Sequence, residues 1–327
     1  MDLTQLKTES PLVFGFAESR IGGRAENQDS FAWADTPIGF LITVCDGMGG
    51  GPGGKTASFI AVNEIIAGVM EADQQEETAN ILIKAIRRAN MAIITRGNEQ
   101  PELKGMGSTC TVALINSKFA TIAHVGDSRV YQFRGRTKIF RTFDHSMVFD
   151  LVKQKVITEE QARLSAQSNV ITRALGIKPD LEVEILERPF EAGDRFLLCT
   201  DGIHGSIEEK RLIKQVTNRK IALGPVVDGI ATEIDNIGRI SGGGHDNLTL
   251  AIIETKLNSI KKDSMSKKIK QILLAIGAVC IISIAANIFL TITTIGQSNT
   301  LKDLGDQEIL MHTNDSVSYT HLTLPTT

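Results

Sequence analysis

The chain has 327 residues and a net charge of −3, which suits one large domain with appendages or two modest ones. So small an acidic excess indicates no polyanion partner, and nucleic acid is set aside. The cysteines Cys45, Cys110, Cys199 and Cys280 lie far apart in apolar runs without metal-ligand spacing, and they read as reduced core residues.

Residues 1–10 are polar and mixed in charge, with no signal-peptide pattern. A first strand is predicted over 13–17, followed by a polar, glycine-rich loop over 19–30. Residues 31–45 read as a hairpin turning near Asp35-Thr36-Pro37. Its second strand is the apolar run 40–45, which stops at Asp46-Gly47-Met48-Gly49-Gly50. A helix is expected over 55–72, with apolar positions Phe59, Val62, Ile66 and Val69. A second covers 78–95, where Leu82, Ala85, Ile86, Ala89 and Ile93 form one stripe. Strands over 109–115 and 119–125, joined by Asn116-Ser117-Lys118, form an antiparallel hairpin. Gly126-Asp127-Ser128-Arg129 then turns into a strand over 130–133. Residues 144–175 are more polar and read as an excursion at the sheet's edge, with helical pieces near 149–152 and 159–162. Strands over 182–186, 195–200 and 248–254 complete the sheet, with helices near 208–216 and 225–237.

Residues 256–270 carry six lysines, and 272–295 follow as an almost unbroken apolar run without a charge. A helix of that length matches a bilayer's hydrocarbon core, about 30 Å. The expectation is therefore a single transmembrane helix at 272–295 behind a lysine-rich linker at 257–271. With the lysines on its N-terminal side, the large part faces the cytoplasm, at the cell membrane. Residues 296–327 are polar and threonine-rich, without periodicity, and receive no assignment.

Two local patterns compete for the chemistry. Residues 49–56 fit G-x-x-x-x-G-K-[ST], the phosphate loop of nucleotide hydrolases. That fold needs parallel strands alternating with helices, against which stands the meander over 109–133. The other pattern is a set of acids at the ends of apolar runs beside glycine: Asp46, Asp201 in Thr200-Asp201-Gly202, and Asp246 in Gly244-His245-Asp246. A single Asp-Gly is an ordinary turn. Three at apolar strand ends, with Asp127 as a fourth, favour a metal site. All-oxygen ligation selects magnesium or manganese, and converging acids require more than one cation between them. His124 and His145 read as structural.

At this point the chain resembles the bacterial form of the protein phosphatase 2C family, over about residues 12–255. The motifs come in the family's order: Arg24-Ala25-Glu26-Asn27-Gln28-Asp29, Val44 to Gly50, Gly107-Ser108-Thr109, Val125 to Arg129, Asp144-His145-Ser146, Ile171 to Gly176, Leu198 to Gly202, and Asp246-Asn247. The resemblance implies an α+β fold, an αββα sandwich of two antiparallel sheets flanked by helices, forming a catalytic domain over 1–256. It implies two Mn2+ or Mg2+ ions and a third, weaker one. Asp46 would bridge the two, the Gly47 carbonyl would bind the second, Asp201 and Asp246 the first, and Asp127 with Asp201 the third. Arg24 would grip the substrate phosphate, Asp29 would order water, and residues 146–170 would form a flap beside the site. The implied reaction is hydrolysis of phosphoserine and phosphothreonine in proteins by a two-metal-activated hydroxide. The implied partners are phosphorylated proteins and a serine/threonine kinase of the same membrane. Met48 stands where some members carry histidine, and Gln28 where many carry glutamate. Those departures motivate a further alternative, a catalytically inactive sensor with this fold.

Overall fold

The computed structural model describes residues 5–49, 52–167, 170–259, 283–296 and 302. The chain divides into two units, Met1–Lys261 and Lys262–Thr327. The first unit begins with β1 (Gln5–Glu9), β2 (Val13–Arg20), β3 (Asp29–Thr36) and β4 (Gly39–Met48), then α1 (Pro52–Met70) and α2 (Thr78–Glu99). There follow β5 (Gly107–Ser108), β6 (Cys110–Ile115), β7 (Ala120–Val125), β8 (Arg129–Arg134) and β9 (Thr137–Arg141). The excursion holds α3 (Met147–Lys153) and α4 (Glu159–Arg163). The remainder is β10 (Glu184–Arg188), β11 (Arg195–Cys199), α5 (Asp201–His204), α6 (Glu209–Val216), α7 (Leu223–Ile240) and β12 (Leu248–Thr255).

The strands form two sheets, β1-β2-β12-β11-β8-β9 and β10-β7-β6-β4-β3, with β5 paired to β4. Their pairings are antiparallel, as the expected sandwich requires. The apolar runs are continuous because both faces of the central strands are covered. In β4, Phe40, Ile42 and Val44 point into the core between the sheets, while Leu41 and Cys45 face α1 and α2. In β11, Phe196 and Leu198 join the inter-sheet core, while Leu197 and Cys199 pack under α6 and α7. Asp46 continues the Phe40, Ile42, Val44 series by one more step. It therefore falls at the rim of the inter-sheet layer, where the apolar filling ends.

The helical stripe on α2 is buried as expected at Leu82, Ala85, Ile86, Ala89 and Ile93. The stripe on α1 differs: Val62 and Val69 are buried, but Phe59 is 63% exposed. Ala57, Ala61 and Ile65 take the inner face instead, since small residues let the helix approach the sheet closely. Strands β1 and β9 had no counterpart in the periodicity. Both are polar strands at sheet edges, where only one neighbour is needed and alternation is weak.

In the second unit, residues 283–296 form a helix whose side chains are exposed throughout. Residues 272–282 of the expected span lie outside the described residues, as do 260–271 of the linker, Cys280, and the tail apart from 296 and 302. Among the described residues, no helix is long and apolar enough to cross a membrane.

Candidate functional site

Asp46 is delivered by β4 with its main chain already satisfied. Its N–H donates to Thr109 Oγ1 at 2.9 Å, and its carbonyl accepts from Thr109 N at 2.8 Å and Ser108 Oγ at 2.9 Å. Asp29 is its register partner on β3, so both carboxyls project from the same face. Asp29 is buried and accepts from Thr200 Oγ1 at 3.0 Å, with a further bond from the Thr249 hydroxyl. Asp201 opens the one-turn α5 directly after β11, and its carboxyl is in hydrogen-bonding reach of Asp46. Asp246 precedes β12; its Oδ1 accepts from Asn247 N at 2.8 Å and its Oδ2 from Arg24 Nη2 at 2.9 Å.

The glycines beside the acids have a reason other than room for an ion. A Cβ on Gly47 would drive into the Gly54 carbonyl, and one on Gly202 into the Asn247 carbonyl. The close approach they permit is backbone to backbone, which locks β4 to the start of α1 and α5 to β12.

Asp46, Gly47, Asp201 and Asp246 line one cleft of about 450 Å³ together with Arg24, Glu26, Gln28, Met48 and Asn247. A second cavity, of about 270 Å³, continues from Asp201 and Asp246 to Asp127, and is also lined by Phe149, Glu159 and Arg163 from α3 and α4. The structure thus brings Arg24, Asp46, Gly47, Asp201 and Asp246 to one cleft, sets Asp29 behind Asp46, and puts Asp127 in the adjoining cavity.

The electrostatics are those of acids without their own cations. Burial first, and neighbouring carboxylates with it, push the Asp29 carboxyl up to about 7 and Asp201 up to about 6. Asp46 is also held well above the usual range, first by burial and then by Asp29, Asp201 and Asp127. Asp127 is raised by burial and by Asp201. An all-carboxylate, mutually repelling donor set fits hard divalent cations and offers no soft ligand. The thiols fit no part in this chemistry: burial pushes Cys45 up to about 12 and raises Cys110 and Cys199 as well.

Residues given no role from the sequence hold the site in place. Asn247 accepts from Gln28 N at 2.8 Å and donates to the Ile21 and Glu26 carbonyls at 2.8 and 3.0 Å, tying the Arg24 loop to β12. Arg129 and Asp144 form a buried bidentate pair, both bonds 2.7 Å, that braces the Asp127 turn. His204 donates from Nε2 to the Asp127 carbonyl at 3.0 Å, its imidazole held neutral by burial. The available signal was polar residues inside apolar runs, such as Thr200 and Thr249. Their partners cannot be read from spacing.

The phosphate-loop reading does not survive. The strands around 49–56 are antiparallel, α1 begins at Pro52, and Lys55 pairs with Glu26 at 3.4 Å on the surface. Residues 50–51 themselves lie outside the described residues.

The family model described as Protein phosphatase 2C matches residues 18–226. The serine/threonine phosphatase stp of Listeria welshimeri is 32% identical over 246 residues, which is 74% of this chain and 92% of that protein. The crystal structure of the serine/threonine phosphatase Stp1 from Staphylococcus aureus superposes with a TM-score of 0.68 at 26% identity, covering 76% of this chain and 96% of that one. The catalytic domain of the serine/threonine protein phosphatase PstP, solved in complex with two manganese ions, superposes with a TM-score of 0.61 at 29% identity, covering 75% of this chain and 99% of that one.

Proposed function

This chain belongs to the protein phosphatase 2C family and is a metal-dependent serine/threonine protein phosphatase; from that premise we propose how its own residues do the work. Asp46, Asp201, Asp246 and the Gly47 carbonyl would hold two ions, and Asp127 with Asp201 would hold a third, weaker one. Bound manganese or magnesium brings the acidity of water near neutrality and offsets phosphate charge. Arg24 stands half-exposed at the cleft. A guanidinium carries five N–H donors, so its contact to Asp246 does not exhaust it, and it takes two phosphate oxygens at once. Asp29, pinned by Thr200 and Thr249, orients water toward phosphorus. As the water oxygen bonds to phosphorus, the P–O bond to the serine or threonine oxygen breaks, and the departing alkoxide takes its proton from solvent, since Met48 has none to give. The buried thiols take no part, and hydrolysis by water needs no phosphoenzyme.

The observation that carries this reading is the convergence of Asp46, Asp201 and Asp246, from distant parts of the chain, on the cleft that Arg24 enters. The test is phosphate release from a phosphothreonine peptide by the full chain, with and without manganese. Turnover that depends on manganese and disappears in Asp46→Ala is expected. Full activity of Asp46→Ala overturns it, and an inactive parent chain would favour the sensor.

The second unit anchors the enzyme to the cell membrane through 272–295, with the catalytic unit on the cytoplasmic side. This rests on the charge-free apolar run, the six lysines before it and the exposed Ile284, Ile288, Phe289, Leu290 and Ile292. Phosphoproteins at that surface are the substrates, and a serine/threonine kinase of the same membrane is the enzyme it opposes. Recovery in the carbonate-washed membrane fraction, with the catalytic unit open to protease only from the cytoplasmic side, is expected. Recovery in the soluble fraction overturns the anchor.

A further inference from the structure

We propose a second metal site, built of His124, His145 and Glu184 at the base of the flap, that takes a transition-metal ion of the zinc class. Among the described residues, these three are the set of His, Cys, Asp and Glu side chains whose ligating atoms lie within 4.8 Å of one another. None of them belongs to the carboxylate cleft.

The fold brings them together from three places. His124 on β7 and Glu184 on β10 are register partners, so their side chains leave the sheet on the same face. His145 comes from the loop before α3 and stacks on His124, ring centroids 4.5 Å apart at 15°. Its backbone is fixed on both sides: its N–H donates to the Gly126 carbonyl at 2.9 Å, and its carbonyl accepts from Thr172 N at 2.8 Å.

The decisive detail is the wiring of His124. It is fully buried, and its Nε2 donates to the Phe143 carbonyl at 3.0 Å. That bond fixes the tautomer and leaves the lone pair on Nδ1, which is buried without a hydrogen-bond partner. A backbone carbonyl on one ring nitrogen and a bare lone pair on the other is the arrangement of a metal-ligating imidazole. A purely structural cluster accounts for His145 and Glu184, whose Nε2 and Oε2 are 3.2 Å apart, but it leaves the His124 nitrogen unsatisfied. Burial lowers both imidazoles, His145 to about 4, so both rings are neutral at neutral pH and the bare lone pair of the pair is that of His124 Nδ1. Two imidazoles and one carboxylate with a position left open suit zinc, where the all-carboxylate cleft suits magnesium or manganese. Glu184 is 37% exposed and gives the ion its way in.

Loading has a structural consequence. His145 Nδ1 accepts from Gly126 N at 3.2 Å, so Nε2 carries the ring proton, directed to Glu184. An imidazole lone pair lies in the ring plane, so the stacked rings serve one ion only when His145 turns out of the stack: the ion takes its Nε2, the proton moves to Nδ1, and the Gly126 bond is given up. Gly126 precedes Asp127, so the bond given up lies in the turn that carries that residue.

The test uses the full chain in excess magnesium, which occupies the carboxylates, with zinc chloride added, desalted and counted by elemental analysis. Cobalt chloride reports the ligand geometry by its visible absorption. One zinc per chain is expected, with strong tetrahedral cobalt bands. His124→Phe, which keeps an aromatic ring in the stack, and Glu184→Gln, on the exposed side, should each weaken zinc at least about tenfold. Both should keep their manganese-dependent turnover, which shows that they fold. Asp46→Asn should keep its zinc. Zinc held undiminished by Glu184→Gln, lost in Asp46→Asn, or never retained by the parent chain overturns the site.

Discussion

Two sets of buried and half-buried aspartates in this molecule differ, and the contrast separates structure from chemistry. Asp144 meets both forks of Arg129 at 2.7 Å, and Asp194 meets Arg134 at 2.9 and 2.8 Å with Gln132 Nε2 at 3.0 Å. Each has a guanidinium of its own. Asp29, Asp46 and Asp201 are set among hydroxyls, backbone and one another, and all three are raised. Desolvating an acid without a counter-charge is costly. The paired acids offset that cost within the fold, whereas the cleft acids leave it to a cation from outside.

The largest effect expected from this contrast is on turnover. Asp46→Asn should cost several kcal/mol of transition-state stabilisation, about a thousandfold or more in kcat. The same substitution should raise the melting temperature of the metal-free protein, because it removes a charge that the fold cannot neutralise. If Asp46→Asn destabilises the metal-free protein as much as a paired acid does, the division between the two groups is broken.

Arg129→Ala probes the other group. It strands Asp144 in the core, and breaking a buried pair costs about 3–5 kcal/mol. Urea unfolding should show that loss with and without manganese. A loss well below 1 kcal/mol would place the pair with surface bridges.

The pH dependence sharpens the comparison. Asp29 at about 7 and Asp201 at about 6 lie above the ordinary carboxylate value of 3.8. Below that value both states are protonated and the acids cost nothing. As the pH rises from about 4 to 7, the unfolded chain ionises first, and the metal-free fold loses stability. The neutral histidines act in the opposite sense below their usual value of 6.5, so the comparison is parent against Asp46→Asn, which cancels them. The parent should melt lower at pH 8 than at pH 5 relative to the variant, and manganese should erase the gap. Identical profiles would remove the argument from repulsion.

Arg24→Ala should lower kcat/KM by about 10- to 100-fold, the worth of a charge-assisted contact of about 1.5–3 kcal/mol. Lys55→Ala should change least. Its pair with Glu26 is exposed and contributes less than about 1 kcal/mol, so turnover and stability should both stay near the parent.

Much of the site was legible from the chain alone because its signals are local. An acid that interrupts an apolar run is visible wherever it occurs, so Asp46, Asp201 and Asp246 declared themselves, as did the α2 stripe and the hairpin of β6 and β7. The order of the motifs, Arg24 first and Asp246-Asn247 last, carried the sandwich and the family. Tertiary structure alone decided which polar groups meet. Thr200 reaches Asp29 across 171 positions, Asn247 reaches Glu26 across 221, and Asp46 stands opposite Asp29 because a hairpin sets that register. It also made Phe59 an outward residue, formed β1 and β9 from polar segments that needed only one neighbour, and turned two histidines that read as bland into a cluster with Glu184. The physical reason is the same in each case. Periodicity records which face of an element avoids water, whereas a hydrogen bond, a charge pair or a metal ligand is defined by its partner, and that partner is chosen by the packing of the layers.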